Sequence, residues 1–268
     1  DLLKTKSNDE SKIFKDDINL NFDLNKVYID EINIVKNLSG KLNIKDNKVI
    51  KADISGIFDP NGNLTFTINT DDKGEKITTF NSTKAKPIVK RYKFIKGFEE
   101  GNLDFYSTKK NNISNSVLII DNFKVQEVPV LAKLLSLASL QGIADLLTGE
   151  GIRFTDFEMI FSNSKDLMTI DELYAIGPSV SLLLNGYMQS DNLISLRGTL
   201  VPATTINRTI ASIPVIGDLL IGKKVGEGVF GVSFKVKGPP GNLKTTVNPI
   251  KTLTPRFITR TLDKIKKN

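Results

Sequence analysis

The sequence predicts a mainly β protein built on a long antiparallel sheet, and three observations point there. Apolar residues recur with a period of two in many short runs, and Asn, Asp, Gly and Lys separate those runs. The apolar set is Ile, Leu, Val and Phe, with 15 Phe, only 3 Met and no Trp. Branched and aromatic side chains suit the pleated, half-buried surface of a strand, whereas helices show a 3.6-residue repeat. At 268 residues and 40% hydrophobic content, the chain can build the core of one large or two ordinary domains.

Residues 1–15 are polar and charged, and read as a linker or frayed end. Residues 16–127 read as the N-terminal part of the sheet. Ile18, Leu20, Phe22 and Leu24 share one face, and so do Leu42 and Ile44. Alternation continues through VIKADISGIF, NLTFTINT and KITTFN, with DPNGN as a turn between the first two. The segments YKFIKGFEEGNLDFYST and SVLIIDNFKV are also strand-like. These runs make an antiparallel meander with one apolar face and one face of Lys, Asn, Asp and Thr.

The period changes at residues 128–147, VPVLAKLLSLASLQGIADLL, which is too long and too poor in β-branched residues for a strand. It reads as a helical insertion with Pro129 near its start and Gly142 as a break. Being apolar nearly all round, it must be covered by protein or by lipid, with Leu131, Leu134, Leu135 and Leu137 as the residues to watch. Strands resume at IRFTDFEMIFS, LMTIDELYAIG, SVSLLLNGYMQ, LISLRGTLVP and VFGVSFKVKG, interrupted by a second helical insertion at 203–221. Residues 254–268 read as a terminal amphipathic helix opened by Thr254 and Pro255. Phe257, Ile258, Leu262 and Ile265 lie on one side, flanked by Arg256, Arg260, Lys264 and Lys267. Such a helix either lies in a membrane interface or docks on the sheet with a solvated basic face.

Chemistry is constrained by what is missing. With no Cys and no His, the chain has no thiolate, no imidazole base and no ordinary zinc ligand set. Asp156 with Glu158, and Asp171 with Glu172, are the pairs that remain for acid and base work. Both alternate with apolar residues in strands, so they read as side chains of a half-buried sheet turned to solvent. Gly222, Gly226, Gly228 and Gly231 do not follow a strand and open a helix, so they read as a bend rather than a phosphate loop. The expectation is a protein that is not an enzyme, with no catalytic residue, no metal and no cofactor.

A net charge of +7 and a pI near 9.3 suggest an anionic partner. The lysines are scattered rather than grouped with aromatics on one recognition element, which favours a membrane surface and disfavours nucleic acid. The chain starts at Asp1, without a charged-then-apolar leader or a run of about 18 apolar residues. The expectation is a piece of a longer protein whose anchor lies upstream.

Between Gly149 and Phe257 several strings occur in a telling order: GEGIRFTDFE, GTLVPA, IPVIGDLL, GEGVFGVSFKVKGP, VNPI and LTPRF. In these strings, residues 128–253 resemble the C-terminal region of the AsmA-like superfamily of bacterial envelope proteins, its YhdP branch above all. Gly241 with Asn242, and Pro255 with Arg256, depart from the family's usual residues without touching the apolar pattern. The resemblance implies a long curved antiparallel sheet forming an open apolar groove. It also implies a periplasmic location, an inner-membrane anchor, phospholipid as the cargo between inner and outer membranes, and envelope protein partners. The lining would then include Val180, Leu182 and Leu184; Ile194, Leu196 and Leu200; and Phe230, Val232, Phe234 and Val236. The alternative is an envelope structural or interaction module with the same sheet and a filled core. Covering apolar surface gains roughly 25 cal/mol per Å² whichever partner does it, so the pattern of residues leaves both open.

Overall fold

A computed structural model describes residues 17–92, 97–126, 128–138, 149–190, 192–202 and 231–250. The insertion expected at 203–221, the later part of that expected at 128–147, Phe230, and the terminal helix with Arg256, Phe257, Ile258, Arg260, Leu262, Lys264 and Ile265 lie outside the described residues.

Thirteen strands occur among the described residues: β1 (Ile18–Tyr28), β2 (Ile34–Lys45), β3 (Lys48–Phe58), β4 (Gly62–Thr70), β5 (Lys76–Ser82), β6 (Phe98–Lys110), β7 (Ile113–Val125), β8 (Ile152–Ser164), β9 (Leu167–Ile176), β10 (Val180–Gln189), β11 (Leu193–Pro202), β12 (Gly231–Gly238) and β13 (Lys244–Ile250). They form one open sheet in chain order, each strand antiparallel to its sequence neighbours. Pairing of β7 with β8 carries the sheet unbroken past residue 128, where the two expected regions meet. Two short helices are added, α1 (Ala85–Tyr92) and α2 (Pro129–Leu137).

The two ends of the sheet differ. At one end lie tight turns such as Asp46-Asn47 and Asn111-Asn112, whose positive φ values are tolerated by Asn and Asp and match the twist of a two-residue hairpin. At the other end lie the longest connections, those after β5, β7 and β11, two of which carry the helices. There the β1–β2 turn is held by Asp30, whose carboxylate accepts the backbone N–H groups of Ile32 and Asn33 and the Asn33 amide. Those bonds, led by the backbone N–H of Asn33, lower its pKa to about 2.

Helix α2 follows β7 in the chain yet packs on β13. In a flat sheet β13 would lie five strands beyond β8, about 24 Å away at about 4.8 Å per strand. That is about twice a helix diameter, so the sheet curls around α2. Leu131, Leu134 and Leu135 of α2 and Ala85 and Val89 of α1 join Phe98, Phe123, Phe154, Leu200 and Phe234 in one buried cluster.

Strict alternation fails where the sheet bends. Glu100 and Gly101 in β6 and Asn122 in β7 have positive φ, and beyond them the faces exchange. Phe98 and Leu103, like Ile120 and Phe123, therefore reach the same core although an odd number of positions separates them. Space is equally tight at Gly198, where an added Cβ would stand 2.3 Å from the Leu183 carbonyl oxygen and 2.6 Å from the Phe234 ring. Gly198→Val should cost about 3 kcal/mol in urea unfolding; a loss within 0.5 kcal/mol, roughly the scatter of surface substitutions, would mean the strands part easily there.

Candidate functional site

Strand register places residues of all thirteen strands in transverse rows. One row runs Phe22, Gly40, Ile54, Phe66, Phe80, Phe105, Leu118, Met159, Leu173, Leu184, Gly198, Phe234, Val247. It contains no polar side chain. Both glycines lie beneath an aromatic ring of the neighbouring strand, Phe22 over Gly40 and Phe234 over Gly198. From Phe22 through Leu184 every side chain in the row, and also Val247, is half-buried, while Phe234 is buried. The opposite face of the first six strands is a polar ladder, in which Asn43 donates to Asn19, Thr65 to Asn81, and Asn81 to Asp104.

The row one step toward the helices is covered. Leu64, Ser82, Leu103, Ile120, Ala175, Leu200 and Val232 are buried there, beside the stack of Phe98, Phe123 and Phe154 with centroids 5.2 and 5.5 Å apart. α1 and α2 thus close the apolar face at one end; the central row stays half-exposed along most of its length, and in the row one step toward the turns Ala52, Ile68, Ser107, Ser116, Phe161, Ile170 and Val236 are buried again.

The residues expected to line a groove do share this face. Val180, Leu200 and Val232 are buried on the helix side of the central row, Phe234 is buried within it and Val236 on its turn side, whereas Leu182, Leu184, Ile194 and Leu196 are half-buried. Leu131, Leu134 and Leu135 are core and Leu137 is exposed. Sequence reasoning did not single out the central row of Phe66, Phe80, Phe105, Leu118 and Met159. The signal was present in the alternation of each strand, but joining the strands required their register.

Of the four carboxylates, Glu172 departs from expectation. Asp171 is exposed, Asp156 and Glu158 are half-buried, and Glu172 is buried rather than turned to solvent. An irregular register between β8 and β9 near Phe161 shifts Asp171 and Glu172 relative to simple alternation. Glu158 accepts a 2.6 Å hydrogen bond from the Tyr174 hydroxyl, and Asp156 accepts one from Thr155. Their strand pairing puts Asp156 and Glu158 on the face opposite the apolar row.

Among the described residues no group of acidic side chains is placed to hold a metal ion, and no helix is long and apolar enough to cross a membrane. Comparison with protein-family models, curated proteins and solved structures finds no match for this chain.

Proposed function

We propose that the half-exposed central row of the apolar face is the floor of a lipid-carrying groove, on which phospholipid acyl chains lie across the strands. The observation that carries this reading is the central row, an unbroken apolar strip over thirteen strands whose side chains stay half-exposed along most of its length. Monomeric soluble proteins rarely leave an apolar surface of such continuity uncovered. The resemblance of residues 128–253 to the AsmA-like region supports the same reading and adds a periplasmic protein, anchored upstream in the inner membrane, that passes phospholipid toward the outer membrane. Movement is passive and the chain performs no covalent chemistry. Under this reading Leu182, Leu184, Ile194 and Leu196 touch lipid, Val180, Leu200 and Val232 form the wall of the helix-covered end, and Phe234 and Val236 are buried beside the floor. The helix after Pro255 meets the membrane surface through its basic flanks.

A filled structural module is the second reading, favoured by the packing of α1 and α2 against that end. Photo-crosslinking separates the two. A benzophenone side chain at Phe105 or Leu196 should give phospholipid adducts in cells, and one at Thr67 on the polar face should give none. Equal labelling from both faces, or none from Phe105 and Leu196, would exclude the groove.

A further inference from the structure

The apolar face is not uniform along the strands. On β5 its inward positions, read toward the turns, are Phe80, Thr78 and Lys76; on β6 they are Phe105, Ser107 and Lys109. The same order continues on β7 as Leu118, Ser116 and Ser114. Ring or aliphatic carbon gives way to hydroxyl and then to ammonium or hydroxyl at three adjacent strands in register. The hydroxyl row is real structure: Ser116 donates to Ser107 at 2.8 Å, and both are buried.

Lys76 and Lys109 are directly paired across β5 and β6. Like charges at such a position oppose sheet formation, so the pair calls for a compensating anion. Among the described residues neither lysine takes part in an ion pair. The Asp71 carboxylate of the adjacent turn is occupied by the N–H groups of Lys73 and Glu75. Burial, followed by the positive charges of Lys109 and Lys48, lowers the pKa of Lys76. Beside it the Thr70 hydroxyl, cross-strand from Lys76, is buried without a hydrogen-bond partner.

We infer that Lys76 and Lys109, with Lys48 nearby, hold the phosphate of an anionic phospholipid whose ester region lies at Thr78, beside the buried Ser107–Ser116 pair, and whose acyl chains begin at Phe80 and Phe105. The lengths agree. Two residues of strand span about 7 Å, and the headgroup layer of one leaflet is about 5–8 Å thick. This inference rests on the groove reading and adds to it where the headgroup sits and which charge it carries.

The test uses the 268-residue chain with fluorescent phosphatidylglycerol, phosphatidylcholine and diacylglycerol, and with inorganic phosphate as competitor. Phosphatidylglycerol should bind about 30-fold more tightly than diacylglycerol, from about 1 kcal/mol for each of two lysines. The double variant Lys76→Glu/Lys109→Glu should lose that preference while keeping its affinity for diacylglycerol. Lys76→Gln/Lys109→Gln, which adds no negative charge, serves if the first variant folds poorly.

Equal binding of phosphatidylglycerol and diacylglycerol by the wild type would overturn the headgroup site and leave the groove standing. So would a preference that survives the substitutions. Absence of binding by all three lipids would overturn both. Lysine-dependent binding of inorganic phosphate without lipid binding would make this a free-anion site and likewise overturn the inference.

Discussion

Replacing Phe123 by Ala should destabilise the protein by about 3–5 kcal/mol, the range for removing a fully buried aromatic side chain. Phe123 is 2% exposed and is stacked on Phe98 at 5.2 Å and Phe154 at 5.5 Å, with Phe157 edge-on at 6.1 Å. It joins β6, β7 and β8 at the bend made by Asn122, so its cavity would open where three strands are held together. Phe105→Ala offers the contrast. Its ring is half-exposed on the central row, and its removal should cost about 1 kcal/mol, because less area leaves water in the first place. Urea midpoints at constant slope measure both. Similar losses at the two positions would mean that Phe105 is as well covered as Phe123, and the face would not be open.

Leu135→Asp should act on one end of the molecule. Leu135 is fully buried in the last turn of α2, and a carboxylate there without a partner costs several kcal/mol. Undocking α2 relieves that cost at the expense of uncovering Leu200, Phe234 and their neighbours. The expected result is faster hydrogen exchange in β11 to β13, with β1 to β4 unchanged, and stronger fluorescence of a hydrophobic dye. Unaltered exchange in β11 to β13 would show that α2 does not hold that end.

Much of the sheet was legible in the sequence because alternation is a direct imprint of a two-sided strand. The apolar positions of β1 to β5 and the lining of β10 to β12 follow from it. Strand β13 escaped because KTTVNPI is short and carries Pro249, which is tolerated there because β13 is an edge strand. Helix α1 was missed, and Tyr92 was assigned to a strand, because AKPIVKRY offers only Ala85, Ile88 and Val89 at helical spacing. The inward placement of Phe98, Phe123 and Phe154 depends on backbone turns at Glu100, Gly101 and Asn122, which alternation cannot register. The lysine pair was hidden for a related reason. Lys76 and Lys109 are 33 positions apart and become neighbours only through the β5–β6 register.

The strictly sequential strand order also sets a unit of length. Each odd-numbered strand ends at the same end of the sheet, so the long connections that follow β5, β7 and β11 all emerge there. Adding or removing one strand would send every later connection to the turn end and reverse which residues face the apolar side. Adding or removing a hairpin leaves both unchanged and alters the width of the sheet by about 10 Å. A protein of this design can therefore be lengthened or shortened in steps of two strands, keeping an end of long connections and an end of tight turns throughout.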